Sequence, residues 1–161
     1  NQFVSLDGAE FMTQAFHHEG GQRIDLSEDY ETIIWLQDNV EGSPVVLEAH
    51  NEQYRWSARI SNYTGLPTVL GWPWHQIQQR SEYDYVVKNR SSVVRDIYTT
   101  TNVGMAVDLL RQYEVEYVVV GQLERAYYPT QGLQKFNMLT AEGLAELVYE
   151  SGSTKVYRGM W

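Results

Sequence analysis

Apolar residues along this chain fall into two patterns. Val45, Val46 and Leu47, then Thr68, Val69 and Leu70, then the run from Val115 to Val120 are continuous and rich in β-branched residues, as in strands covered on both faces. Elsewhere the apolar positions recur at helical spacing. Tyr30, Ile33, Ile34 and Val40, with Leu36 nearby, predict a helix over 28–39, opened by Ser27 as N-cap with Glu28 and Asp29 in its first turn, where the helix dipole favours negative charge. Tyr83, Val86, Val87, Val93, Val94 and Ile97 predict a helix over 82–96. Val103, Ala106, Val107, Leu109 and Leu110 predict another to Tyr113, capped by Asn102.

Shorter helices are predicted over 54–63, closed by Gly65, over 74–80 after Pro73, and over 133–139. Tyr98-Thr-Thr-Thr101 reads as a β-prone link. Residues 144–149 and 154–158 read as a hairpin around Ser151-Gly152-Ser153. At the start, Asp7-Gly8 reads as a turn, 9–16 as a short helix and 17–21 as a loop. Strands alternating with helices predict an α/β fold: a three-layer sandwich with a mainly parallel central sheet and a C-terminal antiparallel hairpin. No repeat or linker interrupts 1–161, so one domain is expected.

The strand ends carry the candidate chemistry, because open α/β sheets bind ligands beyond the carboxyl ends of their strands. The first run stops in Glu48, His50, Asn51, Glu52 and Tyr54; the second in Trp72, Trp74, His75 and Gln76; the third, past Gly121, in Gln122, Leu123, Glu124 and Arg125. Glu48, His50, Glu52 and His75 offer carboxylate and imidazole groups for a metal or for acid–base work, although their spacing matches no specific zinc pattern, and hydrogen-bonded structural histidines are the alternative. Arg55, Arg59, Arg80 and Arg125 suit either a phosphate clamp or ion pairs with Glu48, Glu52 and Glu124. Trp72 and Trp74, if exposed, suit stacking on a sugar; core packing is the other reading.

Charge and composition narrow the choice. A net charge of −9, from 21 acidic and 12 basic residues, disfavours nucleic acid as a partner. With no cysteine there are no disulfides and no thiolate metal sites. No phosphate-binding glycine loop and no nucleophile elbow occurs. A start at Asn1, and not Met, is expected of an excised or processed piece.

Several of these residues carry a resemblance. Leu47-Glu-Ala49, Thr64-Gly-Leu-Pro-Thr-Val-Leu-Gly-Trp-Pro-Trp-His-Gln76 with Gln79-Arg80, Ile97-Tyr-Thr-Thr-Thr101 and Tyr117-Val-Val-Val-Gly-Gln-Leu-Glu-Arg125 with Tyr128 resemble the C-terminal part of the YYY-domain family. Leu6-Asp-Gly8 and the segment from Asp29-Tyr30 to Leu36 resemble the start of that region. The family comprises large polytopic prokaryotic membrane proteins similar to membrane glycosyltransferases that use lipid-linked sugars. The resemblance implies a soluble domain following the last membrane span, on the extracytoplasmic face, that binds substrate and is inactive alone. Its partners would be the membrane-embedded part of the same polypeptide and a lipid-linked sugar or glycan acceptor. No cofactor is implied for this stretch; any divalent metal would belong to the parent protein. The oligosaccharyltransferase soluble domain has a Trp- and Asp-containing motif just after an early strand. This chain has 48–54 there instead, so acceptor-peptide recognition does not carry over.

The expected substrate-binding set is Glu48, His50, Glu52, Tyr54, Arg59, Trp72, Trp74, His75, Gln76, Arg80, Glu124 and Arg125, with no catalytic residue assigned. A structural module docking on the membrane part is the alternative, and a metal-dependent hydrolase using Glu48, His50, Glu52 and His75 is a third reading.

Overall fold

The computed structural model describes residues 7–51, 55–72 and 84–161. Among them are six α-helices and two sheets. After a 3-10 turn at Glu10–Thr13 come β1 (Phe16–Glu19) and β2 (Gln22–Asp25), then α1 (Leu26–Asn39), β3 (Val45–Leu47) and α2 (Arg59–Thr64). The chain continues through α3 (Asp84–Thr99), α4 (Val103–Gln112), β4 (Val115–Val120), α5 (Gln122–Tyr127) and α6 (Thr130–Ala141). It ends with β5 (Ala145–Ser151) and β6 (Thr154–Gly159).

The main sheet has the order β3-β4-β6-β5. β3 and β4 are parallel, whereas β6 runs antiparallel to both β4 and β5. The α/β class is borne out, but the sheet is mixed and not mainly parallel, because β6 inserts between β4 and β5. The second apolar run forms no strand. Only Thr68 bridges to Val46, in parallel, so its β-branched residues extend the sheet edge by a single contact.

Helices α1 and α6 pack against this sheet through different residues of β5 and β6. Val156 pairs with Val119 and Tyr149 and shares their face. On that face Trp35 of α1 stacks on Tyr149 at 5.0 Å, and Thr154 donates to Glu28. Tyr157, one residue out of phase with Val156, meets Phe136 and Asn137 of α6. Beside α6 lies α3, and Gly132 is where their backbones touch: a Cβ there would sit 2.2 Å from the Tyr98 carbonyl oxygen.

Local signals decided several boundaries differently from the sequence reading. The expected loop over 17–21 is the β1–β2 hairpin, turned by Gly20 and Gly21 with φ of 57° and 79°, which a two-residue type I′ turn requires. The expected helix over 9–16 shrinks to the 3-10 turn because Phe16 joins that hairpin. Asp25, not Ser27, caps α1 by accepting the Ser27 N–H at 2.9 Å. Tyr98 and Thr99, read as a β-prone link, complete the last turn of α3, where Tyr98 is buried. Asn102 caps α4 as expected, accepting from the Met105 N–H at 3.0 Å. The helix expected over 74–80 lies outside the described residues.

Candidate functional site

Parallel β3 and β4 end side by side, and each is followed by a glutamate. Gly121 breaks β4 and starts α5, so Glu124 is the third residue of that helix and reaches back to accept the Gly121 N–H at 2.8 Å. The other partner of this carboxylate beyond β3 is the Ala49 N–H, also at 2.8 Å. Glu48 turns the opposite way. Its two oxygens accept the Ile60 and Ser61 N–H groups, each at 2.8 Å, at the open N-terminus of α2.

Between the glutamates lies Arg59. Ala58, buried and left-handed at φ 61°, turns the chain so that Arg59 points inward as α2 begins. The guanidinium grips Glu124 in two parallel bonds of 3.1 and 3.0 Å, approaches Glu48 at 3.8 Å, and pairs through Nε with Asp29 at 2.7 Å. Asp29 Oδ2 accepts from Trp56 Nε1 at 2.7 Å. All four charged side chains are 3% exposed or less. Every carboxylate oxygen faces an N–H donor, an arrangement that suits ionised carboxylates.

Burial dominates the electrostatics. It raises the pKa of Asp29 and of Glu48, ahead of the opposing Arg59 charge and the donors around each. Burial also pushes Glu124 up, but the Arg59 charge, its two hydrogen bonds and the two backbone donors together hold it below the usual range. Arg59 itself stays charged: desolvation opposes its charge, and the surrounding carboxylates outweigh that and raise its pKa well above the ordinary value.

In front of this cluster is a recess of about 370 Å³ lined by Arg55, Trp56, Asn62, Tyr63 and Trp72, with buried Ser57 and Arg59 behind. Both indole N–H groups are engaged by the protein, Trp56 on Asp29 and Trp72 on the Ser57 carbonyl at 3.1 Å. Trp56 and Tyr63 lie against each other, ring centroids 6.2 Å apart. On the rim, Arg55 is half-exposed and 3.8 Å from Glu19.

Of the residues expected from the sequence, Glu48, Arg59 and Glu124 come together, as ion pairs in the interior. The Arg59 alternatives thus resolve to pairing. His50 stands apart, its Nε2 within 3.0 and 3.1 Å of the Ser91 carbonyl and hydroxyl oxygens, and burial lowers its pKa. Trp72 lines the recess. Arg125 is exposed on α5, where its charge falls on the Tyr157 hydroxyl. Glu52, Tyr54, Trp74, His75, Gln76 and Arg80 lie outside the described residues. Among the described residues, no group of three or more His, Asp or Glu is placed to hold a metal.

Asp29, Trp56, Asn62 and Tyr63 were not among the site residues expected from the sequence. Asp29 did leave a signal: it lies three residues after Leu26, four before Ile33 and seven before Leu36, all buried on one stripe of α1. A lone acid on an apolar stripe marks a buried partner. Trp56, Asn62 and Tyr63 left no comparable trace.

The fold and this buried cluster define a mixed α/β domain whose strand ends are cross-linked by charge. Its fold is shared with the C-terminal globular domain of an oligosaccharyltransferase from Archaeoglobus fulgidus, at a TM-score of 0.51 and 12% identity, over 80% of this chain and 94% of that one. No family model and no curated protein sequence matches the chain. None of the described helices is long and apolar enough to cross a membrane.

Proposed function

We propose that this chain is the substrate-recognition domain of a membrane glycosyltransferase acting on lipid-linked sugars, without activity of its own. The observation that carries the reading is the aromatic recess of Trp56, Tyr63 and Trp72 beyond the carboxyl end of β3, with Arg55 and Asn62 on its rim. Ring faces beside a few planar polar groups are what a sugar asks of a protein: its C–H face packs on an aromatic ring while its hydroxyls find donors and acceptors. The fold shared with an oligosaccharyltransferase domain supports the same direction, and so does the resemblance to the YYY-domain family, whose Gly65-to-Trp72 segment leads into the recess. Helices α1 and α6 on opposite faces of the main sheet support the three-layer arrangement.

In this reading the domain sits on the extracytoplasmic face, its partner is the membrane-embedded part of the same polypeptide, and its ligand is a lipid-linked sugar or a glycan acceptor. The buried Glu48, Arg59 and Glu124 act as scaffold, and sugar contact falls to the recess. With both Glu48 oxygens held by α2, a metal-dependent hydrolase centred on that carboxylate has little to recommend it.

The test is ligand-observed NMR of the domain with common monosaccharides and a short polyprenyl phosphate, repeated with Trp72→Ala and Arg125→Ala. Binding lost in Trp72→Ala supports the reading, and loss in Arg125→Ala as well extends the site to α5. Absence of binding by every compound refutes it. A second reading, a module that docks on the membrane part, is favoured by Phe11 and Phe16. They are 50% and 44% exposed, and Phe11 sets its edge on Trp56.

A further inference from the structure

We infer that the recess takes a neutral pyranose ring and disfavours a phosphate or carboxylate on its ligand. This rests on the recognition function proposed above and names the class of group that the recess selects. An arginine-containing pocket in a protein that handles lipid-linked sugars invites a phosphate. The geometry points the other way. Arg59 is the cation closest behind the recess, and its guanidinium is committed to Asp29 and Glu124 by direct bonds, with Glu48 at 3.8 Å. Its strongest contacts all run to carboxylates, so its charge is neutralised inside the protein before any ligand arrives. What an incoming group meets behind the wall is one cation among three carboxylates, all buried and so weakly screened by salt.

At the rim, Arg55 is the remaining described cation lining the recess, and Glu19, itself buried, stands 3.8 Å from it. Around the recess the described residues therefore set four carboxylates against two arginines and His17, which stands 3.2 Å from Glu19, in a chain whose net charge is −9. A phosphate entering here meets an unfavourable field and finds no saturated donor cradle of the kind anions require.

A neutral sugar meets none of these obstacles. The Trp56 and Trp72 indole N–H groups are tied to Asp29 and to the Ser57 carbonyl, so the rings contribute surface and not donors. Arg55 and Asn62 remain at the rim for hydroxyl groups. The volume, about 370 Å³, lies near the lower end of the roughly 300–1,000 Å³ typical of ligand pockets. That suits one or two sugar rings.

The experiment uses the domain labelled with 5-fluorotryptophan, its Trp56 and Trp72 signals assigned from Trp56→Phe and Trp72→Phe. Fluorine NMR follows titration with methyl glucoside, methyl mannoside, methyl galactoside, glucose 1-phosphate and inorganic phosphate at low salt. We expect at least one neutral glycoside to shift both signals, and the phosphorylated sugar to bind about tenfold more weakly, a difference of about 1.4 kcal/mol. In Glu19→Gln, which releases Arg55, phosphate binding should strengthen several-fold while that of the neutral glycoside stays within twofold. Tighter binding of glucose 1-phosphate or inorganic phosphate than of every glycoside, at the same two signals, overturns the inference and leaves the recognition function standing. If no compound moves either signal, and polyprenyl phosphate does not either, both fall.

Discussion

The two halves of the main sheet are held together by different physics. Where β3 and β4 run parallel, the strand ends are tied by Glu48, Arg59, Glu124 and Asp29, four charges removed from water and satisfied by one another and by backbone N–H groups. Where β5 and β6 run antiparallel, rings and close backbone contact dominate the interior, Trp35 on Tyr149, Phe136 against Tyr157 and Gly132 on the end of α3, while Ser153 and Thr154 bond Glu28 nearer the surface. Aromatic packing of this sort tolerates small shifts, whereas buried charges demand defined geometry, since any one left unpaired carries its full desolvation cost. The polar half is the one that backs the aromatic recess.

Arg59 carries the largest expected effect. Arg59→Met strands three buried carboxylates and should cost about 3–5 kcal/mol, read as a lower urea midpoint at unchanged slope. A loss below about 1 kcal/mol would mean that the charges do not hold the parallel half. In the apolar half, Gly132→Ala drives a methyl into the Tyr98 and Thr99 carbonyls and should cost about 1–3 kcal/mol in the same assay. An unchanged midpoint would remove the close helix contact from the account.

Lys135 is a buried cation in that half. Its Nζ donates to the Gly132 carbonyl at 2.5 Å and lies over the Phe136 ring, and burial lowers its pKa to about 8 from 10.5. A base whose folded pKa is depressed contributes stability above the unfolded value that is lost as the pH falls through the folded one. Lys135→Met should therefore raise stability at pH 7 by on the order of 1–2 kcal/mol, and the gain should shrink between pH 8 and pH 10.5. Urea unfolding across that window checks the sign; a gain that persists at high pH would mean that charge is not its cause.

Tyr98 joins the halves and offers the smallest effect. Its hydroxyl donates toward the Val119 carbonyl at 2.7 Å and lies 3.1 Å from that of Leu47, while its ring stacks on Tyr128 and meets Phe136 edge-on. Tyr98→Phe keeps the ring contacts and should cost about 1 kcal/mol in thermal unfolding. A much larger loss would place the hydroxyl within the charged cluster's cooperative unit.

How far the chain could be read from its residues follows the same division. Helix α1 ends where its periodicity stops, α4 starts at its Asn102 cap, β4 coincides with its β-branched run, and the β5–β6 hairpin turns at Gly152. These elements are specified by neighbours within a few residues, so their pattern is local. Glu48 and Glu124 could be named as polar residues at strand ends and Arg59 as a cation for them, but whether they would face a ligand or one another could not be read there. Their bonds span long stretches of chain, from Ala49 to Glu124 and from Arg59 to Glu124, and only the parallel alignment of β3 with β4 brings those atoms within 3 Å.

The sequence by itself determined the α/β class, the main helices, the central strand and the closing hairpin, because side-chain periodicity and capping act over one or two turns. The tertiary structure decided that Thr68 would give one bridge and no strand, that Asp29 would turn inward to Arg59 and Trp56, and that Trp56, Tyr63 and Trp72 would enclose a recess. Each of those depends on where distant backbone ends meet and on which charges can be satisfied once water is excluded, and neither quantity is written in any local run of residues.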